Sequence, residues 1–130
     1  MYNEGAKGVG VSTITVGNKS VILVDCSKKT PERAGEIREL LEKAKALVAS
    51  KPEKSVYIIT DVTNLKFNNE MSGMFKDYAV ANAKYVKASV LVGLSGTQMI
   101  VFSAVKALTK REFHLSPTLN DAKQYLSSIE

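Results

Sequence analysis

The sequence predicts one α/β domain over residues 1–130, a mostly parallel five-stranded sheet with an antiparallel edge strand, in the order β-β-α-β-α-β-α-β-α. Three observations carry that expectation. Short, nearly continuous apolar runs at Val21 to Val24, Val56 to Thr60 and Ala88 to Leu94 have the length and two-faced hydrophobicity of parallel strands covered by packed elements. Between them lie longer stretches with apolar residues at helical spacing. The length of 130 residues, 45% apolar and 24% charged, suits a single domain, which typically buries about two-thirds of the surface its unfolded chain exposes and needs no disulfide or metal to fold.

Each element follows from its residues. Val11 to Val16 is a half-polar strand, and Gly17-Asn18 is a two-residue hairpin signal that returns the chain into Val21 to Val24, so the first strand is an antiparallel edge. Thr30-Pro31 opens the first helix, because threonine accepts a backbone N–H at an N-cap and proline is tolerated at the first helical position. Its apolar face is Ala34, Ile37, Leu40, Leu41, Ala44, Leu47 and Val48. The opposite face pairs Arg38 with Glu42 and Glu39 with Lys43 along the helix. After the strand Val56 to Thr60, the spacing of Met71, Met74, Phe75, Tyr78 and Ala79 marks a second helix beginning near Asn68 or Asn69. A fourth strand at Ala88 to Leu94, a third helix at Gly96 to Leu108 and a short fifth strand at Glu112 to Leu115 follow. Thr118 caps the last helix with Asp121 three residues on, and Ala122, Tyr125, Leu126 and Ile129 are its buried stripe.

The element order, with the segments Val24-Asp25-Cys26-Ser27, Thr60-Asp61-Val62-Thr63-Asn64 and Tyr85-Val86-Lys87-Ala88-Ser89, resembles an uncharacterised bacterial family with a STAS-like fold, the fold of the anti-sigma-factor antagonists. The resemblance spans residues 20–130. It implies four βα units whose parallel strands lie side by side in sequence order. In the antagonists a serine at the start of the second helix is phosphorylated to switch partner binding. Here Asn69 falls at that place, and an amide cannot be phosphorylated; Ser72 and Thr63 are the nearest hydroxyls. The fold is also related to lipid-binding and transporter-associated domains.

Ligands of parallel α/β sheets usually sit beyond the carboxyl ends of the strands. The sequence places Asp25, Cys26 and Ser27, then Asp61, Val62 and Thr63, then Ser95, Gly96 and Thr97, and finally Ser116 at those ends. Asp25, Ser27, Asp61, Thr63, Ser95, Gly96 and Thr97 are therefore the candidate ligand-binding residues, with helix capping as the competing role. Ser95-Gly96-Thr97 leads into a helix N-terminus, which suits an anion. No Walker or dinucleotide glycine fingerprint is present. Cys26, His114 and Asp61 invite a nucleophile reading, but strands two and five stand three spacings apart, roughly 14 Å, beyond hydrogen-bond reach. No catalytic residue, no cofactor and no metal site is expected, given one cysteine, one histidine and no dense carboxylate cluster. An enzyme, the least favoured class, would use Asp61 with Thr63.

The third helix is apolar nearly all round, and that points to a partner covering Met99 and Phe102. The expected function is a non-enzymatic binding or regulatory module acting through protein contacts, including self-association as a dimer. The alternative is a small-molecule, anion or lipid binder at the polar crevice. Lysine and arginine outnumber acids 18 to 13, and Lys51, Lys54, Lys84, Lys87, Lys110 and Arg111 gather at the opposite, amino-terminal edge of the sheet. Nucleic-acid binding is not expected without exposed aromatics among them. The lone Cys26 argues for a reducing, cytoplasmic setting, and no segment reads as a transmembrane span.

Overall fold

The computed structural model describes residues 10–28, 31–66, 68–109 and 113–129, with the backbone alone of Pro31, Thr97, Val101, Val105, Leu108 and Thr109. A five-stranded sheet in the order β1-β2-β3-β4-β5 is formed by Gly10–Val16, Lys19–Asp25, Val56–Asp61, Val86–Val92 and His114–Ser116. β1 runs antiparallel to β2, and the remaining pairs are parallel. The hairpin closes with Val16 opposite Lys19. Its two-residue turn is possible because Gly17 takes a positive φ of 62°, where an L side chain is strained.

Four helices, α1 (Ala34–Ala49), α2 (Asn69–Asn82), α3 (Thr97–Thr109) and α4 (Leu119–Ser128), complete the chain. Three successive crossovers advance the strands in one direction, and crossovers of one hand must then share a face. Accordingly α1, α2 and Phe102 of α3 pack with Ile22, Val24, Ile58 and Leu91. The tail helix α4 is bound by no such rule and covers the other face, where Ala122 and Leu126 meet Val21, Ile59, Val90 and Val92. Fully buried side chains such as Ile37, Leu41, Met71 and Phe75 each contribute about 1.5–3 kcal/mol by leaving water.

Some local expectations are corrected. Thr30 lies outside the described residues, and the first α-helix begins only at Ala34, after a single 3-10 turn at Pro31–Arg33. Its N-cap, Arg33, makes no side-chain cap bond and instead faces Glu36 at 3.2 Å. The fourth strand is Val86–Val92, two residues earlier than its apolar run suggests, and β5 extends to Ser116. Ser116 is therefore paired with Val92 inside the ladder and buried, instead of lying in a loop after it. Glu112, Lys110 and Arg111 fall outside the described residues. Arg38 bonds Glu70 of α2 at 2.7 Å, so this charge ties two helices together and does not decorate one. The expected start of α2 near Asn68 or Asn69 and the capping of α4 match the structure: α2 begins at Asn69, where Asn68 Oδ1 accepts from the Met71 N–H at 2.9 Å, and Thr118 Oγ1 accepts from the Asp121 N–H at 3.2 Å.

Candidate functional site

The strand-end residues do come together at the carboxyl edge, and they do so through one local motif used twice. Asp25 Oδ1 accepts hydrogen bonds from the Ser27 N–H at 3.0 Å and the Ser27 hydroxyl at 2.6 Å. Asp61 Oδ1 accepts from the Thr63 N–H at 3.0 Å and the Thr63 hydroxyl at 2.7 Å. In each loop the next residue, Lys28 at φ 64° and Asn64 at φ 57°, adopts the left-handed conformation. A carboxylate that accepts both donors two residues on fixes an Asx-type turn. The two turns lie in register, since Asp25 and Asp61 are partners in the parallel ladder. Beyond it the Cys26 N–H reaches Asp61 O at 2.9 Å and the Lys28 N–H reaches Thr63 O at 2.8 Å.

The third loop is locked to the second by Gln98, a residue to which the sequence reading assigned no role. Its side chain, only 5% exposed, donates from Nε2 to Val62 O at 2.9 Å and Leu65 O at 2.7 Å, while Oε1 accepts from the Ser95 N–H at 2.9 Å. Its two donors and one acceptor bond three backbone groups, although Val62 O also accepts from the Leu65 N–H at 3.0 Å. The Ser95 N–H, which the small-residue turn offers to an anion, is thus already bonded. Ser95 and Gly96 themselves are exposed, and only the backbone of Thr97 is described. No sequence motif announces Gln98. A glutamine two residues into an otherwise apolar helix start is the one available signal.

The remaining candidates are placed as follows. Cys26 is fully buried on the α1 side of the sheet. His114 stacks on Tyr125 of α4 at 3.6 Å between ring centroids, so its ring packs on a neighbour far along the sheet from Cys26. Asn69 is exposed at the first position of α2, and the Ser72 hydroxyl donates to Asn68 O at 3.1 Å. Among the described residues, no group of three or more His, Cys, Asp or Glu stands close enough to hold a metal ion. No helix there is long and apolar enough to cross a membrane.

Helix α3 needs a correction. Phe102 is only 6% exposed and meets Phe75 edge-on at 5.9 Å between ring centroids, so it belongs to the core and not to an outer surface. Met99 is 39% exposed, Ile100 72% and Leu115 of β5 46%. Met99 and Leu115 border a shallow groove of about 210 Å³, floored by Leu91, Phe102 and Phe113, with Lys106 at its rim.

No protein-family model matches the chain, and no curated protein matches it. Among solved structures it is similar to an uncharacterized protein of the DUF3478 family, described as having a SpoIIAA-like fold, from Shewanella loihica PV-4. The two are 18% identical, 97% of this chain and 99% of that chain are covered, and the TM-score is 0.62. The chain therefore has a SpoIIAA-like, STAS-like fold.

Proposed function

We propose that this domain is a non-enzymatic module that works through protein contacts, with a second copy of itself as the partner and the α3–β5 groove as the contact surface. The observation that carries the reading is the apolar rim of Met99, Ile100 and Leu115, exposed side by side at the β5 edge of the sheet. Contiguous exposed apolar surface on a small domain is a common mark of an interaction site. The strand-end polar groups support the same reading, because Asp25 and Asp61 each use Oδ1, and Gln98 its amide, to fix the loops that hold them. A lipid or other small molecule is the weaker occupant. A groove of about 210 Å³ falls below the roughly 300–1,000 Å³ of pockets that enclose drug-sized ligands.

The test is the mass in solution by light scattering. Wild type is expected to be dimeric at high micromolar concentration, and a Met99→Glu, Leu115→Glu variant monomeric with an unchanged circular dichroism spectrum. A monomeric wild type at that concentration removes the proposal. Phe102 is left intact in this design, since a buried charge there would unfold the monomer and mimic loss of the interface.

A further inference from the structure

The amino-terminal edge of the sheet carries a second arrangement, independent of the α3 groove. Tyr57 of β3 lies between two lysines from the flanking strands: Lys19 Nζ of β2 stands 5.6 Å from the ring centroid and Lys87 Nζ of β4 5.8 Å. Lys87 is delivered there by an irregularity in the ladder. Val56 pairs with Val86, but Tyr57 pairs with Ala88, so Lys87 is the extra residue of a bulge, and bulges re-aim side chains. Lys19 donates one hydrogen bond, to Ile129 O at 2.7 Å, and an ammonium has three N–H donors. Beside the ring an open depression of about 680 Å³ is lined, among the described residues, by Asn18, Lys19, Ser20, Ser55, Tyr57, Ser127 and Ile129. That volume lies within the range of ligand-binding clefts, and no carboxylate is among the described residues that line it.

We propose that this depression binds a small phosphorylated molecule, with Lys19 holding the phosphate, Tyr57 supplying the apolar platform beside it and Lys87, over the same ring but outside the lining, adding positive charge. Two cations around one half-buried ring attract a dianion. The competing structural role is that Lys19 only completes the C-terminal end of α4, whose C-cap is Ile129. Lys87 has no part in that role, so the two contributions are separable. A short local depression favours a small ligand over a strand of nucleic acid, which would need a longer track of stacked aromatics.

The experiment is an amide chemical-shift titration of the full chain with adenosine monophosphate, with inorganic phosphate and with adenosine, alongside a short single-stranded oligonucleotide. Adenosine monophosphate is expected to move the amides of Lys19, Ser20, Tyr57 and Lys87 at millimolar concentration, with inorganic phosphate moving the same amides more weakly and adenosine leaving them in place. Lys87→Gln is expected to weaken binding about threefold, the effect of one nearby charge that makes no hydrogen bond to the ligand, with an unchanged melting temperature. Lys19→Gln should weaken it about tenfold, the size of a lost charge-assisted hydrogen bond, and Lys43→Gln on α1 should leave it unchanged. The proposal is overturned if the shifts fall elsewhere, if Lys87→Gln binds like wild type, if nothing shifts at millimolar ligand, or if the oligonucleotide alone binds.

Discussion

At Gly93 the chain leaves β4 with φ 81°, and a Cβ built there would lie 2.1 Å from Thr63 Oγ1 and 2.8 Å from Thr63 Cα. Both the backbone conformation and the space exclude a side chain, because the obstacle includes backbone that cannot swing aside. Gly93→Ala is expected to cost about 2–3 kcal/mol, measured as a lower midpoint in urea unfolding. The same close approach brings the β4 loop near enough to the β3 loop for Gln98 to span them. Gln98→Ala would remove a partner from Leu65 O, the Ser95 N–H and Val62 O, the last of which keeps the Leu65 N–H. Losing these bonds is expected to cost about 1–3 kcal/mol. Gln98→Ala should also speed hydrogen exchange at Ser95, where the loop amide loses its acceptor. An unaltered unfolding midpoint in Gln98→Ala would show that water replaces the amide without loss.

Helices α1 and α2 are joined along their exposed sides by Arg38 to Glu70 at 2.7 Å and Lys45 to Asp77 at 2.6 Å. The two clamps are two turns apart on both helices, which keeps the helices side by side over β2, β3 and β4. Lys45 also meets Glu42 at 2.7 Å. The hydrogen bond to Asp77, then that to Glu42, holds its ammonium above the ordinary lysine value of 10.5. A folded-state value raised above the unfolded one means stabilisation that is fully present below the unfolded value and fades as pH rises through the folded value. Lys45→Gln is therefore expected to lower stability at neutral pH by at most about 1 kcal/mol, as solvent screening dictates for pairs near the surface. The gap between variant and wild type should close in strongly alkaline buffer. A gap that stays constant across the alkaline range in denaturant titrations would assign the effect to packing of the lysine stem.

Over the whole molecule, the sheet divides the work. Its carboxyl edge is closed on itself by two Asx turns and one buried amide. The α3–β5 edge leaves apolar side chains exposed, and the amino-terminal edge presents lysines around a tyrosine. A fold built from parallel βα units puts all strand-to-helix loops at one end, so those loops meet whether or not they bind anything. Here the loops are joined by hydrogen bonds from Cys26 and Lys28 to the β3 loop and by Gln98 between the β3 and β4 loops.

The order of strands and helices, the antiparallel edge, the start of α2 near Asn68 or Asn69 and the capping of α4 by Thr118 were legible in the residues, because hydrophobic periodicity and cap chemistry act over a few neighbours along the chain. So was the gathering of Asp25, Asp61 and Ser95 at one edge, once the strands were placed in sequence order. The tertiary structure alone decided that Phe102 packs on Phe75, that Arg38 reaches Glu70 and not Glu42, that Gln98 bridges two loops, and that a bulge turns Lys87 toward Tyr57. Each of these joins residues far apart in sequence. A helix that is apolar all round announces only that it needs cover, and which side is covered from within depends on how close the neighbouring elements come.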